Sequence, residues 1–278
     1  MTGRDLAALI LLGVLWGASF VFIRVAVPVF GPFALVELRV AIAVVALLVY
    51  GVAIGRLPKA PAHWRKFLIL GLVNSAIPFS LIAFAEIELT ASLAAILNST
   101  TVLFTAVVAT IWTGEAVTPG KATGVVLGVA GAVLLSVVAM LLASLFYALG
   151  ATYAKWAFAH LPPLTMAVGQ QTGAAVLLLV PASVSLPERE LSVAAGLSVL
   201  GLAVPSTAVA YILYFRLIES VGPTSTVTVT FLVPVFGLLF GVLLLDEPFG
   251  LGTLAGLGIV LLSVALVTGI ASSKGKPA

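Results

Sequence analysis

The sequence predicts an all-α polytopic membrane protein of ten transmembrane helices, arranged as two inverted five-helix repeats with both termini in the cytoplasm. Three observations lead to this fold class. The chain of 278 residues is 62% hydrophobic and 8% charged, it divides into long apolar runs, and its halves resemble each other. Soluble domains carry about 25% charged residues. Thirteen bases and ten acids cannot supply that polar surface, which excludes an ordinary soluble enzyme, a disordered chain and a nucleic-acid binder.

The apolar runs have the length of membrane-spanning helices. Such a helix needs about 20 apolar residues to cross about 30 Å of hydrocarbon. The runs do not alternate in the manner of outer-membrane barrel strands, so we expect helices. The spans are predicted near residues 6–27, 34–55, 67–85, 91–112, 120–136, 138–157, 164–185, 194–215, 223–245 and 251–271.

One stretch fits this pattern badly. Residues 122–154 carry no charge, and as one helix they would measure roughly 50 Å, too long for a membrane. As two helices they leave no turn around Ser136 and Val137. We hypothesise that a flexible loop has been lost from the sequence at this point, where we also divide the first repeat, 1–136, from the second, 137–278.

The charged residues predict the orientation of the spans, because short cytoplasmic loops carry an excess of Lys and Arg. With the N-terminus inside, the cytoplasmic side collects most of the bases. The outer side collects acids, among them Glu86, Glu88 and Glu247. We expect Glu86 and Glu88 to face water.

The two halves match each other at an almost constant offset. A shift of 131 places Trp16 on Tyr147, and a shift of 132 places Glu115 on Glu247. Because each half has five helices, the second half must enter the membrane inverted. Inverted repeats suit alternating access around a site near the membrane midplane. The alternative is that membrane helices resemble one another by composition alone.

Several short sequence motifs resemble those of a known family. The LWG motif at Leu15–Gly17, TGE at Thr113–Glu115, LDEP at Leu245–Pro248 and the glycine-spaced helices after them are similar to the ten-helix EamA-type branch of the drug/metabolite transporter superfamily. The resemblance implies export of small metabolites, often amino acids, across a bacterial inner membrane. Within this branch the chain looks most similar to the aromatic amino acid exporters.

Polar residues within the predicted spans are candidates for a substrate site, because they are costly in lipid. Asn98 and Thr101 share one face of helix four, and the repeat pairs Asn98 with Thr230 on helix nine. We expect them to form two walls of a central cavity. Alternatively, they join neighbouring helices through hydrogen bonds.

Helices three and eight add further candidates, namely Asn74, Pro78, Phe79 and Tyr211. A proline inside a helix frees a backbone carbonyl, which can accept a hydrogen bond from a substrate ammonium or mark a hinge. A kink needed only for packing is the alternative.

Aromatic residues predict the walls of the pocket. Trp16 and Phe20 lie one turn apart on helix one, and Tyr147 is the repeat partner of Trp16. Such walls suit apolar or aromatic substrate side chains, while ordinary helix packing explains them equally well.

Three charged residues, Arg24, Glu37 and Arg39, fall near the outer ends of helices one and two. We assign them to gating, with Arg24 pairing with Glu37. No acid is expected at mid-membrane, which favours facilitated diffusion without excluding coupling through Glu37 or water. No buried charge is expected to match the ends of a zwitterionic substrate.

The sequence gives no support for an enzyme. It has no cysteine, no HExxH motif and no carboxylate pair inside a span, so we predict no catalytic residue, metal site or cofactor. The expected partners are the lipid bilayer and a small-molecule substrate, and a homodimer is left open. Gly120, Gly124, Gly128, Gly252 and Gly256 are interpreted as helix-packing residues. The alternatives are export of other metabolites or drugs, or a non-transporting structural or signalling protein.

Overall fold

Helices form the regular structure of the part of the chain that the computed structural model describes, residues 2–56, 63–113, 135–158, 161–185, 190–226 and 228–267. Five of the described helices are long and apolar enough to cross a membrane, and two shorter apolar helices accompany them. The all-α polytopic fold class is therefore confirmed.

Helix α1, Gly3–Ala53, contains the first two predicted spans. The break between these spans falls at Gly31, inside the predicted interval 28–33, but it is shorter than predicted, because Gly31 alone leaves the helical conformation, with φ 69° and ψ 164°. A positive φ of this kind favours glycine, which has no Cβ to clash with the backbone. Gly31 divides α1 into a first arm, residues 3–30, and a second arm, residues 32–53. Thr2 and Asp5 close its N-terminus in a reciprocal capping box.

The later spans are more segmented than predicted. The fourth span is interrupted after Asn98, and the eighth continues to Thr226 rather than ending near 215. Beyond residue 215, polar side chains of this helix bond to α1, Arg216 to Tyr50 and Ser220 to Asp5. The further elements are α2 Trp64–Gly71, π1 Leu72–Ala76, α3 Ile77–Ala85, α4 Ala91–Asn98, α5 Thr101–Thr113, α6 Leu135–Ala157, α7 Pro163–Ser183, α8 Val193–Ala203, π2 Val204–Val209, α9 Ala210–Thr226, α10 Val229–Leu245 and α11 Leu251–Val267.

The fifth predicted span, 120–136, falls almost wholly outside the described residues. Ser136 and Val137 lie inside α6, where the helix continues without a break. The structure therefore gives no support to a lost loop at this point, because the loop would interrupt the first turn of a helix.

The two π-helical segments begin at Leu72 and Val204, 132 residues apart. In π1 the amide of Ile77 donates to the carbonyl of Leu72, and in π2 the amide of Ala210 donates to that of Pro205. Proline has no backbone N–H and cannot donate to the hydrogen bonds of a helix. Single π turns frequently occur at functional sites. The same backbone irregularity thus recurs at the offset that relates the two halves of the sequence.

Among the described residues, close helix packing is seen at glycines of the first arm. A Cβ at Gly13 would lie 2.6 Å from Cβ of Leu232, and one at Gly17 would lie 2.6 Å from Cβ of Phe236, so the first arm packs tightly on α10. A Cβ at Gly252 or Gly256 would meet no described atom within 4 Å. Gly120, Gly124 and Gly128 lie outside the described residues.

Candidate functional site

Arg39 lies at the centre of a buried polar and aromatic layer. It sits on the second arm and is 4% exposed. Its Nε donates to Oγ1 of Thr207 at 2.8 Å, and its Cζ lies 3.7 Å from the ring centroid of Phe79. The Thr207 hydroxyl donates in turn to the carbonyl of Leu202 at 2.7 Å. Arg39 is therefore held by π2 on one side and by a cation–π contact with α3 on the other.

This arrangement corrects the expectation that the protein has no buried charge. Among the described residues, no Asp or Glu oxygen lies within 4.0 Å of an Arg39 nitrogen. The titratable groups that face Arg39 are the phenols of Tyr147 and Tyr211 and the buried carboxyl of Glu86, which forms no ion pair with it in the described structure. A buried cation without an anionic partner is strongly unfavourable, so the layer is suited to accept an anion.

Two aromatic pairs line this layer. Trp16 contacts Tyr211 with ring centroids 6.2 Å apart and planes at 69°. Tyr147 contacts Phe79 with centroids 6.2 Å apart and planes at 64°. Trp16 and Tyr147 differ by 131 in sequence, and Phe79 and Tyr211 differ by 132. Each pair therefore joins the first helix of one half to the third helix of the other, and we call the two the crossed aromatic pairs. Tyr214 adds a second contact to Trp16, at 5.4 Å.

An amide network borders the same layer. Asn74 Nδ2 donates to Oε1 of Gln170 at 3.0 Å, and Gln170 Nε2 donates to Ser75 Oγ at 2.8 Å. Gln171 is fully buried, and within the described residues neither polar atom of its side chain has a hydrogen-bond partner. Tyr211 lies beside these groups. The network offers a substrate both an amide donor and an acceptor.

Sequence reasoning missed Gln170 and Gln171. The two glutamines are the only ones in the chain and lie in the seventh predicted span. The rule that polar residues are costly in lipid, applied to this span, would have identified them.

The structure brings only some of the predicted site residues together. Trp16, Asn74, Phe79, Tyr147 and Tyr211 belong to the layer around Arg39. Pro78 and Phe20 are buried in the bundle.

Asn98 and Thr101 occupy a different contact, between α4, α5 and α6. The carbonyl of Asn98 accepts from Thr101 Oγ1 at 2.7 Å and from Ser144 Oγ at 3.4 Å. The Asn98 Oδ1 atom is buried without a partner among the described residues. Thr230 is half-buried on α10.

Arg24 does not pair with Glu37, contrary to the sequence-based expectation. Its Nη1 donates to the backbone carbonyls of Glu86 at 2.5 Å and Ile87 at 2.9 Å. These carbonyls lie at the C-terminus of α3, where a helix leaves acceptors unpaired and the dipole attracts a cation. Glu37 is half-buried, and its Oε2 has no partner among the described residues.

The expectation that Glu86 and Glu88 both face water is half wrong. Glu88 is exposed and accepts a hydrogen bond from Ser136. Glu86 is fully buried because the end of α3 packs inside the bundle. We call the region formed by Arg24, residues 86–92 and Glu247 the Glu86 end.

Glu247, from the LDEP motif, binds the N-terminus of α4. Its Oε1 accepts from the Ala91 amide at 2.6 Å, and its Oε2 accepts from the amide and the hydroxyl of Ser92 at 2.9 Å and 2.5 Å. A carboxylate satisfies the unpaired amides of a helix start and complements its dipole. The motif thus fastens the end of α10 to the beginning of α4.

Replacing Glu247 with alanine is expected to lower the free energy of unfolding by about 2–3 kcal/mol, because it removes charge-assisted hydrogen bonds. Thermal unfolding of the purified protein in detergent measures the effect. Asp246→Asn is the matched control, since Asp246 is an exposed neighbour with φ 51° that asparagine tolerates. Equal melting temperatures for Glu247→Ala and Asp246→Asn would contradict this role.

A cavity of about 370 Å³ opens at the opposite end of the bundle, between the first arm and α9. Its lining includes Arg4, Asp5, Arg216 and Glu219. Ser220 Oγ donates to Asp5 at 3.0 Å, and Arg216 donates to the Tyr50 hydroxyl at 2.8 Å. We call this region the Arg216 end. It holds two of the bases that predict a cytoplasmic face.

Apolar helices of membrane-spanning length surround a polar layer built from both halves, an arrangement typical of a membrane transporter of small substrates. Within the described residues, no group of three His, Asp or Glu side chains could hold a metal ion. Residues 5–137 and 135–269 each match the model of the EamA-like transporter family. The chain belongs to this family, and the predicted superfamily is confirmed.

Relatives with curated sequences agree with this assignment. An uncharacterized transporter of Archaeoglobus fulgidus is 26% identical over 91% of this chain and 94% of its own length. The uncharacterized transporter YvbV of Bacillus subtilis is 26% identical over 95% of this chain and 91% of its own. A chloroplastic WAT1-related protein of Arabidopsis thaliana is 28% identical over 91% of this chain. The matched region is 66% of that protein's own length.

A protein of known crystal structure shares the fold. It superposes with a TM-score of 0.69 at 16% identity, covering 99% of this chain and 100% of its own.

Proposed function

We propose that the protein exports amino acids with apolar or aromatic side chains from the cytoplasm across a bacterial inner membrane, by alternating access. The observation that carries the proposal is the buried guanidinium of Arg39, which has no carboxylate partner among the described residues. Arginine binds carboxylates through parallel hydrogen bonds, so Arg39 is suited to hold the carboxylate of the substrate.

The groups around Arg39 complement the rest of an amino acid. Oxygen acceptors such as Oε1 of Gln171 are available to the ammonium group. The rings of Trp16, Phe79 and Tyr147 supply apolar walls, which favours apolar or aromatic side chains. A hydrophobic wall discriminates weakly between similar side chains, so the specificity should be broad.

Alternating access is supported by the crossed aromatic pairs and by the two π segments, because both features repeat at the offset between the halves. Inverted repeats allow one half to rock against the other around a fixed site. In this scheme Arg24 and Glu37 act near the outer gate, and the Arg216 end is the cytoplasmic entrance. Arg39, which we assigned to gating from the sequence, acts in substrate binding.

Efflux from liposomes tests the proposal. Vesicles containing the purified protein and loaded with L-phenylalanine or L-leucine should release both faster than empty vesicles. They should release a quaternary phenethyl-trimethylammonium ion, which has the ring but no carboxylate, at the rate of empty vesicles. Release of the cation alone would support export of drugs instead, and release of neither amino acid would contradict the proposal.

A further inference from the structure

Glu86 is a buried carboxyl group that the proposed substrate site does not use. It is the first residue after the apolar helix Trp64–Ala85 and is fully buried. Neither carboxylate oxygen has a hydrogen-bond partner among the described residues. Its backbone carbonyl, by contrast, accepts from Arg24 at 2.5 Å.

The charged groups that face Glu86 are Arg24 on the first arm, Arg39 on the second arm and Glu247 after α10. Each is already engaged. Arg24 binds two backbone carbonyls, Arg39 binds Thr207 and the Phe79 ring, and Glu247 binds the start of α4. None of them forms an ion pair with Glu86 in the described structure.

An ionised carboxylate in such a place is strongly unfavourable, and taking up a proton relieves the cost. Burial raises the pKa of the Glu86 carboxyl, Arg24 and Arg39 act in the opposite direction, and Glu247 adds to the increase. The geometry alone leads to the same expectation, since both oxygens lack a donor.

We propose that Glu86 is a proton-binding site, protonated in this conformation, and that loss of its proton favours a conformation in which the Glu86 end is open to water. The proton adds to a carboxylate oxygen from water at this end and returns there on opening. The position supports the link to opening, because the contacts of Arg24 and Glu247 that close this end surround Glu86. The inference rests on the proposed alternating access.

The expected pH dependence follows from linkage. Since the pKa is raised in the closed conformation, closure is fully favoured below the ordinary pKa of glutamate. That advantage is lost as pH rises through the raised value. The Glu86 end should therefore open progressively with rising pH, and Glu86→Gln, a permanently neutral isostere, should remain closed.

Cysteine accessibility tests this without any transport assay, because the chain contains no cysteine. Leu89→Cys places a thiol at a buried position of this end, and Ile87→Cys places one at a half-exposed position that corrects for the reactivity of the thiol itself. From pH 5 to pH 9, the ratio of the maleimide labelling rates at 89 and 87 should rise at least fivefold. Adding Glu86→Gln should abolish the rise, and adding Glu88→Gln, the matched control at an exposed carboxylate, should preserve it.

A rise that persists with Glu86→Gln would overturn the proposal. Should that variant fail to fold, infrared spectroscopy decides the matter in a Glu37→Gln background, which removes a half-buried carboxyl whose Oε2 also lacks a partner among the described residues. A protonated carboxyl band at pH 7 is expected, and its absence would overturn the proposal. Failure of the liposomes to release amino acids would contradict only the proposed function, whereas a flat labelling ratio in the parent protein would contradict only the role of Glu86.

Discussion

Replacing Arg39 with methionine is expected to lower the rate of L-phenylalanine efflux at least about 25-fold. Loss of one partner from a buried hydrogen-bonded charge pair costs about 2–5 kcal/mol, and each 1.4 kcal/mol corresponds to about a factor of ten. Methionine fills a similar volume with apolar atoms, so the aromatic side chains of the layer should keep their places while the guanidinium over the Phe79 ring is lost.

The same substitution should not destabilise the protein. Removing a buried charge that lacks an ionic partner is neutral or stabilising when an apolar side chain replaces it, so the melting temperature in detergent should stay equal or increase. Arg39→Lys should give an intermediate rate, because lysine keeps the charge but loses the planar group that binds a carboxylate through two bonds.

Arg65→Met is the matched control for these measurements. Arg65 is exposed on α2 and lies over Trp64, with its Cζ 5.2 Å from the ring centroid. Its loss should leave efflux unchanged. If Arg39→Met released L-phenylalanine at the rate of the wild-type protein, the guanidinium would not be the group that binds the substrate.

Replacing Gly71 with alanine is expected to destabilise the protein by about 3 kcal/mol, a cost typical of overpacked interiors. A Cβ at Gly71 would lie 2.6 Å from the carbonyl carbon of Gly173 and 2.7 Å from the carbonyl oxygen of Gln170. Both are backbone atoms of α7 and cannot rotate away, so α2 and α7 would have to separate. Separation would also disturb the bond between Asn74 and Gln170.

Gly196→Ala provides the comparison for this substitution. Gly196 lies in α8, where a Cβ would meet no described atom within 4 Å. Alanine there should stabilise the helix by about 0.5–1 kcal/mol. Thermal unfolding of both variants in detergent should give shifts of opposite sign, and a shift for Gly71→Ala no larger than that for Gly196→Ala would contradict the close approach of α2 and α7.

The sequence predicted the fold class and part of the site from features that do not depend on tertiary contacts. Span lengths follow from hydropathy. The offset between Trp16 and Tyr147 identified one residue of each crossed aromatic pair, the one on helix one and the one on helix six. The small-residue rule was applied to Gly120, Gly124, Gly128, Gly252 and Gly256, and it passed over other glycines. In the structure Gly13 and Gly17 approach α10, and Gly71 approaches α7.

Arg39 shows why the rest of the site was harder to predict. Sequence reasoning placed a six-residue connection over 28–33, which puts Arg39 near a helix end. Because only Gly31 leaves the helix, Arg39 lies eight residues beyond the break, about 12 Å along the second arm. Glu86 was misplaced for a related reason, since a position at the end of a span does not reveal whether neighbouring helices cover it.

The equal spacing of the two crossed aromatic pairs, both 6.2 Å, has a mechanical consequence under the proposed rocking motion. A layer in which the two halves make matching contacts lies at the fulcrum, where displacement is smallest, while the two ends travel furthest. A site at the fulcrum keeps nearly the same affinity in both states. Without coupling to a second gradient, such a carrier equilibrates its substrate and does not concentrate it. Net accumulation requires coupling to a second gradient, and the proton that Glu86 is proposed to exchange at one end is placed to provide it.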